Sequence, residues 1–147
     1  MAYNALERQG SVRSPWGLQG MTMPLKTKRW CDEADQDDGY RLLICRYRPR
    51  GLPKKDETWD GWCAELAPSR ALHADFYGKH GPPITWEQYR DRYLEEIKAQ
   101  DELIDELAKL ISEGKTVTLL CSSACEDETH CHRSLLKQLI EAKLPRV

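Results

Sequence analysis

Two short, uninterrupted apolar runs stand out against amphipathic neighbours along this chain. Leu42-Leu43-Ile44-Cys45, inside Tyr40 to Tyr47, is apolar at successive positions, the pattern of a strand covered on both faces. Thr116-Val117-Thr118-Leu119-Leu120 reads as a second buried strand, and Leu25 to Trp30 as a first one. Between them the period changes from two to about 3.6. Thr85 and Gln88 form a capping box, and Trp86, Tyr89, Tyr93, Ile97, Ile104, Leu107 and Ile111 recur mostly at three- and four-residue spacing until Gly114 stops the helix. Gln100-Asp101-Glu102 is a point where that helix breaks in two. Ser69 is a good N-cap for a helix carrying Leu72, Phe76 and Tyr77 and closed by Gly78. A short helix is expected over Asp56 to Leu66, and a last one from about Cys131 to Leu144, with Leu135, Leu136, Leu139 and Ile140 on one side. The order of elements predicts an α/β fold: a single domain with a small, mostly parallel sheet flanked by helices. Residues 1–23, with Gly10, Pro15, Gly17 and Gly20 and no period that could bury a face, are expected to form a flexible arm; 24–147 form the domain.

Composition narrows the function classes. At 147 residues the chain suits one domain with a real core. Apolar residues at 40% and charged residues at 31% describe a well-solvated globular surface. No apolar run approaches the roughly 18 residues of a membrane span, and no membrane role is expected. The N-terminus lacks a secretory pattern, so the six cysteines read as thiols, ligands or catalytic groups in a cytoplasmic protein. A net charge of −2 argues against coating nucleic acid by bulk electrostatics, while a local basic patch keeps a nucleic-acid end in view.

That patch is specific. From Arg41 to Lys55 the ionisable side chains other than tyrosine and cysteine are Arg41, Arg46, Arg48, Arg50, Lys54 and Lys55, with no carboxylate among them. Strand alternation puts Arg46 and Arg48 on one face at the carboxyl end of the Cys45 strand. If that strand lies parallel to the Cys121 strand, the arginines share an edge with Cys131-His132-Arg133 at the start of the last helix. Guanidiniums converging with a helix N-terminus suit phosphate or carboxylate. Surface ion pairing with Asp32, Glu33 and Asp35 is the competing use, and that acidic stretch reads as a solvated loop. His132 is a candidate general acid or base, and Cys131 a candidate nucleophile with its thiol at a helix N-terminus beside Arg133. A cysteine-phosphatase loop is excluded, because position 137 is lysine and Cys131 to Lys137 holds no glycine. No cofactor is required by any motif. Zinc on Cys121, Cys125, Cys131 and His130 is the metal-binding alternative, although the spacing departs from paired knuckles.

Asp38-Gly39-Tyr40-Arg41-Leu42-Leu43 followed by Arg46-Tyr47-Arg48-Pro49-Arg50-Gly51 resembles the DGYRxLxxRxWPRG signature of the family called domain of unknown function 488 (DUF488), in its YeaO-like branch. Leu66-Ala67-Pro68-Ser69, Trp86-Glu87-Gln88-Tyr89, Arg92 to Ile97 and Cys131-His132-Arg133-Ser134 extend the resemblance over about Lys26 to Leu144. It implies an α/β fold and places Arg46, Arg50, Pro68, Ser69 and the Cys-His-Arg segment in one pocket. It supplies no activity. The usual tryptophan before Pro-Arg-Gly is Arg48 here, and Cys125 is additional to the common pattern. The combined expectation is a phosphate- or nucleotide-binding protein whose anion is held by Arg46, Arg48, Arg50, Arg133 and Ser69. Hydrolysis or group transfer on a phosphorylated small molecule or a glycosidic substrate fits better than nucleotide-cofactor redox chemistry, since no Gly-rich dinucleotide loop is present. A thiol-redox or metal module and a non-catalytic binding domain are the alternatives.

Overall fold

The computed structural model describes residues 24–144; the expected N-terminal arm lies outside the described residues. Its centre is strand β4 (Val117–Cys121), five residues all buried. β1 (Leu25–Arg29) and β2 (Tyr40–Leu43) pair with it on either side, Leu25 and Tyr40 both opposite Val117. A two-residue β3 (Gly61–Trp62) completes the order β1-β4-β2-β3, and every pairing is parallel. A strand buried on both faces and hydrogen-bonded on both edges is a nearly continuous apolar run, which is what made β4 legible; its one hydroxyl, on Thr118, is spent on a backbone carbonyl.

The helices are α1 (Arg70–Phe76), α2 (Trp86–Ile97), α3 (Asp101–Ser112) and α4 (His132–Ala142). Both predicted N-terminal devices are present: Ser69 Oγ accepts from the Leu72 N–H, and Thr85 and Gln88 cap each other reciprocally. The long amphipathic stretch is split, at a 3₁₀ turn over Lys98–Gln100. Tyr89, Tyr93, Ile97, Ile104, Leu107 and Ile111 form one core with Leu42, Ile44, Val117, Leu119, Leu136 and Ile140. A smaller cluster of Leu43, Cys45, Leu120, Cys121 and Cys131 packs against Trp30 and Trp59, whose rings meet edge to face at 6.2 Å.

Three expectations are corrected. Residues Asp56 to Leu66 do not form a helix. Their backbone pairs with β2 instead, Asp60 N–H to Arg41 O at 2.7 Å and Cys63 N–H to Leu43 O at 2.8 Å, between 3₁₀ turns at Lys54–Asp56 and Ala64–Leu66. Ladder bonds to an unfilled strand edge outweigh a helical spacing of three apolar residues. The strand at Tyr40 ends at Leu43, so Arg46 and Arg48 sit on the following loop and strand alternation does not place them. The acidic stretch is also more than a solvated loop. Asp38 is buried and takes ion pairs from Lys26 (2.6 Å), Lys28 (2.9 Å) and Arg41, while Thr118 Oγ1 donates to its carbonyl at 2.7 Å. Arg41, counted in the basic patch by sequence, is therefore a buried partner of Asp38.

Candidate functional site

Because β2 and β4 run parallel side by side, the segments that leave their carboxyl ends emerge at one edge of the sheet. After Cys121 the chain turns through Ser122–Ala124, passes Cys125, and makes a 3₁₀ turn at Glu128–His130 capped by the Asp127 side chain. Cys131 is extended (φ −139°, ψ 143°), and α4 starts at His132. Ser134 Oγ donates to Glu128 O at 2.6 Å and ties the turn to the helix. The ten-residue excursion thus brings Cys131 back beside the residue it left from.

Three sulfurs meet there. Cys121 Sγ lies 3.2 Å from Cys125 Sγ and 3.3 Å from Cys131 Sγ, and all three lie within 4.8 Å of one another. Ser122 Oγ donates to Cys125 Sγ at 3.5 Å. Hydrogen bonds from Cys121 and Cys131 hold the Cys125 thiol well below the usual range, and the same bonds, with burial, push Cys131 up. Cys125 is the least buried of the three. Arg133 lies close, donating from Nη2 to Cys125 O at 3.2 Å.

His132 completes the cluster. It is buried, and Nε2 lies 2.7 Å from Ile44 O. A carbonyl only accepts, so Nε2 carries the proton and Nδ1 presents its lone pair. Nδ1 lies 3.8 Å from Cys121 Sγ and 3.9 Å from Cys131 Sγ. Burial lowers the His132 pKa, against the bond to Ile44, and the ring is neutral at pH 7.

This cluster lines a cavity of about 210 Å³. Aromatic side chains share the lining: His73 and Phe76 from α1, Tyr77 just after it and Tyr89 from α2, with Phe76 and Tyr89 4.3 Å apart and the Tyr77 hydroxyl within hydrogen-bonding reach of Cys125. Tyr47, Arg46 and Arg48 line it from the loop after β2. Arg46 bonds Pro68 O (2.9 Å) and Ala67 O (3.3 Å), and Arg48 pairs with Glu57 (2.7 Å) and lies over the Trp59 ring.

The expected residues therefore divide. Arg46, Arg48, Cys131 and His132 share the cavity lining; Arg50, Arg133 and Ser69 do not belong to it. Arg50 is exposed. Arg133 is buried behind the thiol turn. Ser69 is committed to α1, since Oγ accepts from Leu72 N–H and donates to Glu96 Oε2 at 2.6 Å. His130 lines the cavity, yet its ring lies against Trp86 at 5.1 Å and Nδ1 is 3.3 Å from Asp127. Neither it nor His132 is among the donors within 4.8 Å of all three thiols, but His132 approaches two of them.

A family model described as the active DUF488-N3 subclade (DUF488-N3a) matches residues 25–144. The chain belongs to the DUF488 family. Relatives include the uncharacterized protein YeaO of Escherichia coli K12, 35% identical over 108 residues that cover 74% of this chain and 90% of YeaO. The uncharacterized protein Rv3073c of Mycobacterium tuberculosis H37Rv is 31% identical over 119 residues, 81% of this chain and 95% of that protein. No solved structure matches significantly. Among the described residues, no helix is long and apolar enough to cross a membrane.

Within this DUF488 chain the signature residues divide by role. Asp38 and Arg41 are scaffold, a buried ion pair, whereas Arg46 and Arg48 reach the cavity. Sequence reasoning missed the aromatic wall and His73. His73 Nδ1 is buried without a hydrogen-bond partner, and burial lowers the ring's pKa. Its only trace in the sequence is its place one turn before Tyr77 on the same helix.

Thiol reactivity follows from this arrangement. Native-state alkylation with mass-spectrometric readout is expected to label exposed Cys31 and half-buried Cys125, whose neighbours lower its thiol pKa, ahead of the buried thiols. Cys45, Cys121 and Cys131 are buried and should react only on unfolding. Labelling of Cys121 as fast as Cys125 would contradict this order of accessibility.

Proposed function

We propose that this protein binds a compact, planar, anionic small molecule at the sheet edge and acts on it by hydrolysis or group transfer. A phosphorylated molecule carrying a ring, such as a nucleotide, has the chemistry the lining would recognise. The observation that carries this reading is one cavity lined together by Phe76, Tyr77 and Tyr89, by the thiols, and by Arg46 and Arg48. Aromatic faces accept a flat ring by stacking, and guanidiniums accept an anion through charge-assisted bonds. A volume of about 210 Å³ is small beside the roughly 300–1,000 Å³ of drug-sized sites. It suits a base or one ring with its phosphate directed outward, rather than a dinucleotide. The reacting end of the ligand then faces Cys125, Cys131 and His132, the cavity's polar and polarisable side.

Calorimetric titration with nucleoside monophosphates and with inorganic phosphate tests the reading. Arg48→Ala is expected to weaken a bound monophosphate about tenfold or more, the worth of one charge-assisted bond of about 1.5–3 kcal/mol. Tyr77→Ala should weaken the nucleotide and leave inorganic phosphate unchanged. Neither variant altering any monophosphate's affinity would sink the proposal.

A further inference from the structure

We propose that Cys121, Cys125, Cys131 and His132 hold a soft divalent transition-metal ion, zinc by the chemistry of the donors, at the inner end of the cavity. The inference rests on the cavity being the functional site and adds what its thiol side is for. Three observations carry it.

The first is the donor set. Three sulfurs within 4.8 Å of one another are the ligand type that selects zinc over magnesium or calcium. Tetrahedral bonds of about 2.3 Å place sulfurs roughly 3.7 Å apart. The pairs at 3.2 and 3.3 Å reach that by opening about half an ångström. The second is the imidazole. Tetrahedral bonds of about 2.0–2.1 Å to nitrogen and 2.3 Å to sulfur give separations near 3.6 Å, and Nδ1 stands 3.8 Å from Cys121 Sγ and 3.9 Å from Cys131 Sγ; the donors within 4.8 Å throughout are the three thiols alone, so Cys125, on its turn, has to close toward the ring when the ion binds. Its Nε2–H donated to Ile44 O fixes the tautomer that a metal needs, in the manner of histidine ligands generally. The third is charge. Three thiolates and a divalent ion leave one negative charge, beside Arg133 and the N-terminus of the eleven-residue α4. Arg133 Nε is buried with no partner.

On binding, the ion takes the thiolate sulfurs as ligands and the remaining thiol protons leave to solvent, with no change in oxidation state. This set differs from the spacing-based alternative in one member. His130 is exposed, and its place is taken by His132. The other acidic group able to gather around an ion, Asp35, Asp37 and Asp38, already faces Lys26, Lys28 and Arg41.

The test uses the full chain, reduced, stripped by a chelator and titrated with Co²⁺ in the absence of air. One equivalent per chain is expected, with the near-ultraviolet thiolate charge-transfer band and intense visible absorption of a tetrahedral site, both lost when Zn²⁺ is added. Cys125→Ser should weaken Co²⁺ binding more than about 100-fold with an unchanged circular-dichroism spectrum, because this side chain is the least buried of the three. Cys45→Ser, whose thiol lies just past the end of β2 against Cys121, should bind as the parent does. No charge-transfer band, or Cys125→Ser binding like the parent, overturns the proposal; loss of binding in Cys45→Ser overturns the His132 assignment. Nucleotide titration of the stripped protein separates the two ideas. Nucleotide binding with no Co²⁺ band leaves the cavity reading and removes the metal; a Co²⁺ band with no nucleotide binding does the reverse.

Discussion

Tyr93→Ala is expected to destabilise the protein by about 3–5 kcal/mol, the cost of deleting a fully buried ring. Tyr93 has no exposed surface, stacks parallel to Tyr89 at 6.3 Å, and meets the His132 ring edge to face at 5.5 Å. Its hydroxyl donates to Leu66 O at 2.8 Å, at the turn that carries the chain into Pro68 and Ser69. One side chain therefore joins α2 to the thiol side of the cavity and to the loop that Arg46 grips. Tyr93→Phe keeps the ring and strands the Leu66 carbonyl, and should cost only about 1 kcal/mol. Urea unfolding of both variants checks the pair. If Tyr93→Ala loses less than the phenylalanine variant, the ring is not the keystone described.

Asp38→Asn is the second large effect, a loss of about 3 kcal/mol. Removing one partner from a buried ionic group leaves the others uncompensated, and Asp38 has Lys26, Lys28 and Arg41 around one carboxylate. Burial alone would raise its pKa; hydrogen bonds from Lys26, Lys28 and the Asp35 N–H overcome that and lower it to about 2. The sign follows. With the folded value below the unfolded one of roughly 3.9, the carboxylate stabilises the fold fully above about pH 4, and that contribution disappears as pH falls toward 2. It amounts to about 2 kcal/mol. Unfolding measured between pH 2.5 and 6 should therefore show a steep acid limb in the parent that is flatter in Asp38→Asn. Equal slopes would mean another carboxylate carries the acid sensitivity.

These two residues also mark how far the sequence could be read. Tyr93 belongs to a stripe whose spacing announces burial, and its place in the core was legible. Asp38 sits in a run of five acids that looks like solvated surface, and nothing local distinguishes the one acid that folds under Lys26, Lys28 and Arg41. The capping residues Ser69 and Thr85 were legible because a cap is a local bond, complete within three residues. That same bond removes Ser69 from the cavity to which the family resemblance had assigned it. The failed helix at Asp56 to Leu66 has the opposite cause: its backbone partners, Arg41 and Leu43, lie some twenty residues away and no periodicity reports them.

For the site the division is similar. Apolar runs and a switch of period determined an α/β domain, its parallel strands, and the edge at which Arg46 and the Cys-His-Arg segment meet, because strand and helix patterning is written in neighbouring residues. Only the tertiary structure decided which side chains share one volume. It set His132 in place of His130 beside two of the sulfurs, joined Cys125 to Cys121 and Cys131, and brought His73, Phe76, Tyr77 and Tyr89 into the same cavity. The physical reason is that direction, burial and charge at a site depend on how segments distant in sequence pack together. Spacing along the chain carries no record of that.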